Sequence, residues 1–200
     1  MKKIFLFVTM AFLISSGHAQ LNTEQKKIKQ VFFDFLKFYQ KNESKFNSFQ
    51  LYKGTGPENN PPYKILWKGV EKYFTYLRTS VPYVGEAYIK AERNHFKFSD
   101  SCFKDDPVEE MPVGFDYDRW AGGQESIDHT IKWYTDPKNK YEVIIKGTKA
   151  TLRIGAELYE GASEKDRSWY FVPFVKEKGK WKMADNIYHE DEEDEEEIIL

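Results

Sequence analysis

The chain has 200 residues, with 30 Lys+Arg against 32 Asp+Glu and a formal charge of −2. That length suits one domain or two small ones. A single cysteine excludes an internal disulfide framework and a cysteine-rich zinc site, and no apolar run beyond the extreme N-terminus reaches membrane-spanning length. Aromatic residues at 17% make a packed core attainable, which excludes collagen-like, coiled-coil and wholly disordered classes.

The first residues read as an export signal. Met1-Lys2-Lys3 is a short cationic start, Ile4 to Ile14 is apolar except for Thr9, and Gly17 and Ala19 are the small residues before a cleavage point ahead of Gln20. The apolar stretch is too short to cross a bilayer core of about 30 Å. No cysteine stands near the cleavage point, so lipid anchoring is not expected. Without residues 1–19 the chain keeps 28 basic and 32 acidic side chains. Eight of those acids form one run, Glu190 to Glu197, which leaves residues 20–189 at +4. The expected organisation is a signal peptide over 1–19, one domain over 20–189 and an acidic, disordered, solubilising tail over 190–200. The body lacks a concentrated Lys/Arg stripe, so nucleic acid is not an expected partner.

Residues 22–41 are expected to form a helix. Asn22 and Gln25 are spaced as a capping box, and Ile28, Val31, Phe32, Phe35, Leu36, Phe38 and Tyr39 share one face. Phe33 lies off that face, either exposed or covered by a second element. Residues 42–62, rich in Asn, Ser, Gly and Pro, read as a loop pinned by Phe46, Phe49, Leu51 and Tyr52. Residues 63–79 predict a second helix with a wide apolar face. Residues 82–98 predict a third, with Ser80 as cap and Pro82 in the first turn, and with His95 in the middle of the face carrying Ala91 and Phe98.

Residues 99–126 read as an irregular connection. From Ile127 the period becomes two, with Ile127, His129, Ile131 and Trp133 on one side, which predicts a strand. Asp136 to Asn139 is a turn and Tyr141 to Ile145 a strand. Gly147-Thr148 fits a two-residue hairpin. Ala150 to Leu158 alternates over nine residues. Ser168 to Lys176 is a strand whose Pro173 argues for an edge or a bulge. Trp181, Met183, Asp185 and Ile187 form the inward side of the last strand. Helices followed by meandering strands give an α+β domain, with N-terminal helices packed on an antiparallel sheet of four to five strands.

The segments Val143 to Ile154, Trp169 to Val175 and Gly179-Lys-Trp181-Lys-Met-Ala-Asp185-Asn-Ile187 resemble the sheet of nuclear-transport-factor-2-like domains. Asp116-Tyr-Asp118-Arg-Trp120-Ala-Gly-Gly-Gln124 is similar to a segment of an exported bacterial relative, the domain of unknown function 3828 family. The resemblance is strong over 116–188 and implies a cone: a curved sheet around helices with a pocket at its open end. That superfamily holds enzymes, ligand binders and protein-binding modules, so the fold alone does not assign a function.

Motifs for phosphate loops, zinc proteases, serine hydrolases and redox dithiols are absent. Asp116-x-Asp118 fails as a calcium loop because Ala121 and Ile127 stand where Gly and Glu are required, so a turn or helix-capping role is expected. Cys102 reads as a small, partly buried side chain. No metal or cofactor is expected. The candidate ligand-binding residues are His95, His129 and Asp185, polar groups on inward registers, which are costly unless paired. The expected function is non-catalytic binding of a small molecule or envelope protein in the periplasm or outside the cell. One alternative is a small acid–base enzyme using the inward His/Asp set. Another is an immunity or inhibitor protein with an exposed aromatic patch built from Phe33, Phe46 and Phe49.

Overall fold

A computed structural model describes residues 21–189, so the expected export signal and the acidic run lie outside the described residues. Among the described residues, four α-helices and two antiparallel sheets give the α+β class expected from sequence. Among the described residues no helix is long and apolar enough to cross a membrane.

Helix α1 (Thr23–Asn47) opens on the reciprocal capping box of Asn22 and Gln25. It buries Ile28, Phe32, Phe35, Leu36, Tyr39 and Phe46. The helix outruns its expected end by six residues. Phe46 lies two turns beyond Tyr39 on the same face, and its burial favours continuing through the polar residues between them. Strands β1 (Tyr52–Gly54) and β2 (Tyr63–Ile65) follow as a small antiparallel pair. The predicted second helix therefore starts later, as α2 (Trp67–Ser80), burying Val70, Tyr73, Phe74 and Leu77 at helical spacing. Gly69 lets its first turn approach the chain before β1: a Cβ there would lie 1.9 Å from the carbonyl oxygen of Gln50.

Helix α3 (Glu86–Asp105) differs from expectation in phase and extent. Ser80 ends α2 rather than capping α3, and Pro82 lies in the connection. The Glu177 carboxylate instead accepts from the Glu86 and Ala87 amides at the helix start, both at 3.3 Å. The buried stripe is Tyr88, Ile89, Glu92, Phe96, Ser99 and Phe103, and Phe98 is 59% exposed.

Residues 127–134, expected as a strand, form helix α4 (Ile127–Tyr134). Eight residues are too few for periodicity to decide. A helix instead brings Ile127 onto one face with Thr130 and Tyr134, which lie outside the alternation, and that face is the buried one. Ser126 caps the helix, its hydroxyl accepting from the His129 amide at 3.3 Å.

The larger sheet runs β3 (Lys140–Lys146), β4 (Lys149–Gly155), β5 (Trp169–Glu177) and β6 (Lys180–Met183), with β7 (Tyr188–His189) also on β5. Gly147 takes φ 62 in the two-residue β3–β4 hairpin. Strand β4 stops at Gly155, short of the nine residues expected. Pro173 sits in β5, which has β4 on one side and both β6 and β7 on the other. Its carbonyl accepts from Ala184 at 2.8 Å, beyond the end of β6. A residue's N–H and C=O share one side of a strand, so the missing donor faces the break between β6 and β7, a local edge inside a central strand.

Helix α1 packs against β3, β4, β6 and α4. Phe33 is half-buried, covered by β3 through an edge contact with Tyr141 at 5.9 Å. At the other end of the sheet, Glu24 accepts from Lys176 at 2.8 Å and from the Trp181 indole at 2.7 Å. Those two bonds hold the Glu24 carboxyl at about 2. Trp181 is 7% exposed. Trp181→Ala should cost roughly 3–5 kcal/mol in urea-unfolding free energy, whereas a loss below about 1 kcal/mol would place the ring outside the core.

Candidate functional site

The most connected polar group in the core is Glu92, which the sequence reading did not single out. It is 1% exposed and paired with Arg119, 3% exposed, at 2.7 Å. Its second oxygen accepts from the Tyr73 hydroxyl at 2.8 Å, and that hydroxyl accepts from the Trp120 indole at 2.6 Å. The Asn186 amide donates to Glu92 at 2.7 Å and in turn accepts from the Tyr88 hydroxyl. Burial and the Glu92 charge push both tyrosines well above their ordinary pKa, so both remain hydrogen-bond donors.

Arg119 is less completely partnered. One nitrogen binds Glu92, while Nε and Nη1 have no hydrogen-bond partner. The guanidinium instead lies over the rings of Phe96 at 4.8 Å and Phe115 at 5.6 Å.

Outward of this network lies an open cleft of about 450 Å³ between the C-terminal half of α1 and the segment 115–127. Tyr39, Phe46, Trp120 and Arg119 lie toward the core, and Phe49, Tyr52, Phe115 and Tyr117 stand as partly exposed walls. Edge contacts lock the floor, with Phe46 at 5.0 Å from Tyr39 and 5.3 Å from Trp120. Asp118 fixes the loop, accepting from the Trp120 and Ala121 amides at 3.0 Å and from the Tyr39 hydroxyl at 2.7 Å. That is the turn role expected of this aspartate. Burial, then the Asp118 bond, raises the Tyr39 phenol above its usual range.

The three sequence candidates part company. His95 is half-buried on α3, and its Nε2 donates to the Gly114 carbonyl at 3.3 Å. Burial first, then Arg119, lowers its pKa. Gly114 takes φ +80, and a Cβ there would lie 2.5 Å from that imidazole nitrogen, so the contact requires glycine. Asp185 is exposed beside Asn186, and its carboxyl is pushed upward by partial burial and by Glu92, an effect that water screens. Both residues thus feel the Glu92–Arg119 pair. His129 does not lie on an inward strand register: it is exposed on α4, because that segment is helical. Phe46 is wholly buried and Phe49 lines the cleft, so they do not form the exposed patch expected with Phe33. Cys102 is partly buried. Among the described residues, no group of three or more His, Cys, Asp or Glu is arranged to hold a metal ion.

Arg119→Met should destabilise the fold by roughly 3–5 kcal/mol in denaturant, because it strands the Glu92 carboxylate in the core. Arg119→Lys should recover part of that loss. Stability should also fall as pH drops below 6.5, the ordinary value for His95, because the unfolded chain takes up a proton that the buried ring resists. The loss should level off once the folded ring protonates. His95→Gln should flatten this limb of a stability–pH curve, and an unchanged limb would place its origin elsewhere.

No protein-family model, curated protein or solved structure matches this chain.

Proposed function

We propose that the chain is an exported, non-catalytic binding protein of the cell envelope that holds a small ligand in the cleft beside Trp120. The observation that carries this reading is an open, aromatic-walled cleft whose floor is fixed by a buried hydrogen-bond network. A site ordered before its ligand arrives avoids much of the entropy cost of binding. Histidine, cysteine and lysine do not line this cleft, and its ionisable side chains are carboxylates, tyrosines and the paired Arg119. His95, His129 and Asp185, the set that the acid–base alternative requires, do not line it. Export is supported by the cationic start, short apolar stretch and small residues of positions 1–19. The resemblance to nuclear-transport-factor-2-like domains implies a helix lying against the sheet, and α1 packs there.

A protein partner is a second reading, favoured by edge strand β3, whose Ile144 and Ile145 are exposed. Such an edge accepts an added strand.

Native mass spectrometry of protein recovered from its own exported fraction should show a bound small molecule. Tyr117→Ser, in an exposed wall, should abolish that adduct with little change in melting temperature, and Phe49→Ser should abolish it at some cost in stability, because that ring also packs on Tyr73 and Tyr76. Retention of the adduct by both variants would refute the cleft.

A further inference from the structure

Electrostatics at the cleft are one-sided. Glu43, Asp118 and Glu125 line it, while its single cation, Arg119, is neutralised by Glu92. Asp118 is occupied by three donors. Glu43 and Glu125 make no hydrogen bond or ion pair among the described residues, and one is half-buried and the other exposed. An anion entering here meets uncompensated negative charge. A cation meets two free carboxylates and the faces of aromatic rings, which attract positive charge through their quadrupoles. The protein's own cations already use two of these walls: Lys45 lies 4.9 Å over Phe49, and Arg119 lies 5.6 Å over Phe115.

Arg119 adds a separate constraint. It lines the cleft, is 3% exposed, and leaves Nε and Nη1 unpartnered. Buried N–H donors of a charged group normally find acceptors, and these two have only ring faces. A ligand that completes the site therefore carries an acceptor oxygen for the floor as well as a cation for the rim.

We propose that the cleft binds a basic amino-acid residue, free or within a short peptide. Its guanidinium or ammonium sits between Glu43, Glu125 and the aromatic walls, and its carboxylate or carbonyl oxygen faces Arg119. This inference rests on the cleft reading above and names the ligand class of that site. The cleft volume of about 450 Å³ accommodates one such residue with space for its neighbours. A planar guanidinium suits the site best, since it stacks on rings and forks to carboxylates together.

The test is calorimetric titration of the full chain with L-arginine, L-citrulline, agmatine and the tripeptide Gly-Arg-Gly. Citrulline keeps the shape of arginine without its charge, and agmatine keeps the charge without the carboxylate. Arginine or the tripeptide should bind at least tenfold more tightly than citrulline, and agmatine should fall between. The stronger of arginine and the tripeptide identifies a free or peptide-borne residue, and either supports the class. A Glu43→Gln, Glu125→Gln double variant should bind arginine no better than citrulline, with an unchanged melting temperature. Equal binding of citrulline and arginine, arginine binding unaffected in the double variant, or no binding by any of the four would overturn the ligand class. Loss of the native adduct in Phe49→Ser and Tyr117→Ser would still stand in each of those cases. Only its retention refutes the cleft itself, so the two failures are distinguishable.

Discussion

The ion pair between Glu92 and Arg119 is the constraint around which the helical layer and the loops are arranged. Removing two charges from water costs several kcal/mol per ion, and the attraction between them offsets this only when the remaining lone pairs and protons are also satisfied. Glu92 meets that condition with donors from three separate places: Arg119 in the loop before α4, Tyr73 on α2 and Asn186 after β6. Each donor arrives on a different element, so the carboxylate defines where those elements meet. Trp120 follows, because its indole is tied to Tyr73, and the Asp118 turn follows Trp120. The floor of the cleft is therefore a by-product of solvating one buried carboxylate with protein groups.

This dependence explains why the site was harder to read from the sequence than the fold. The capping box, the spacing of Val70, Tyr73, Phe74 and Leu77, and the Gly147-Thr148 hairpin are local signals, each decided within about one helical turn or one strand pair. Glu92 carries no such signal. It interrupts the stripe formed by Tyr88, Ile89, Phe96 and Phe103, and a phase that avoids a charged residue on the apolar face turns α3 toward Phe98 and His95 instead. The spacing that would have found it was present: Tyr88, Glu92, Phe96, Ser99 and Phe103 fall at steps of three and four. Assigning them to the core requires accepting a buried charge, and its partner Arg119 stands 27 positions away.

Residues 127–134 show the opposite case, in which a local pattern was clear but degenerate. Over so short a run, apolar alternation and a helical face share residues, and the Ser126 cap with packing against α1 decides for helix. The consequence reaches the candidate site, since a strand would have turned His129 inward and the helix leaves it in water. The aromatic lining of the cleft comes from two stretches some 65 residues apart, 39–52 and 115–127, and neither carries a binding motif on its own. Phe46 and Phe49 stood out as loop aromatics, but only the folded chain shows that α1 extends far enough to set one in the core and the other on the cleft wall.

Pro173 has an effect that extends beyond the sheet. Where an ordinary residue would offer an amide to a neighbouring strand, proline offers none, and the partner chain leaves the ladder once Ala184 has bonded the Pro173 carbonyl. The released residues 185–187 cross the gap before pairing resumes at Tyr188, and Asn186 is carried to Glu92 on that detour. A hydrogen bond forgone between strands thereby becomes a tether between layers. One imino acid in β5 governs which amide reaches a carboxylate on α3, and so couples strand pairing to the hydrogen bonding of a buried charge.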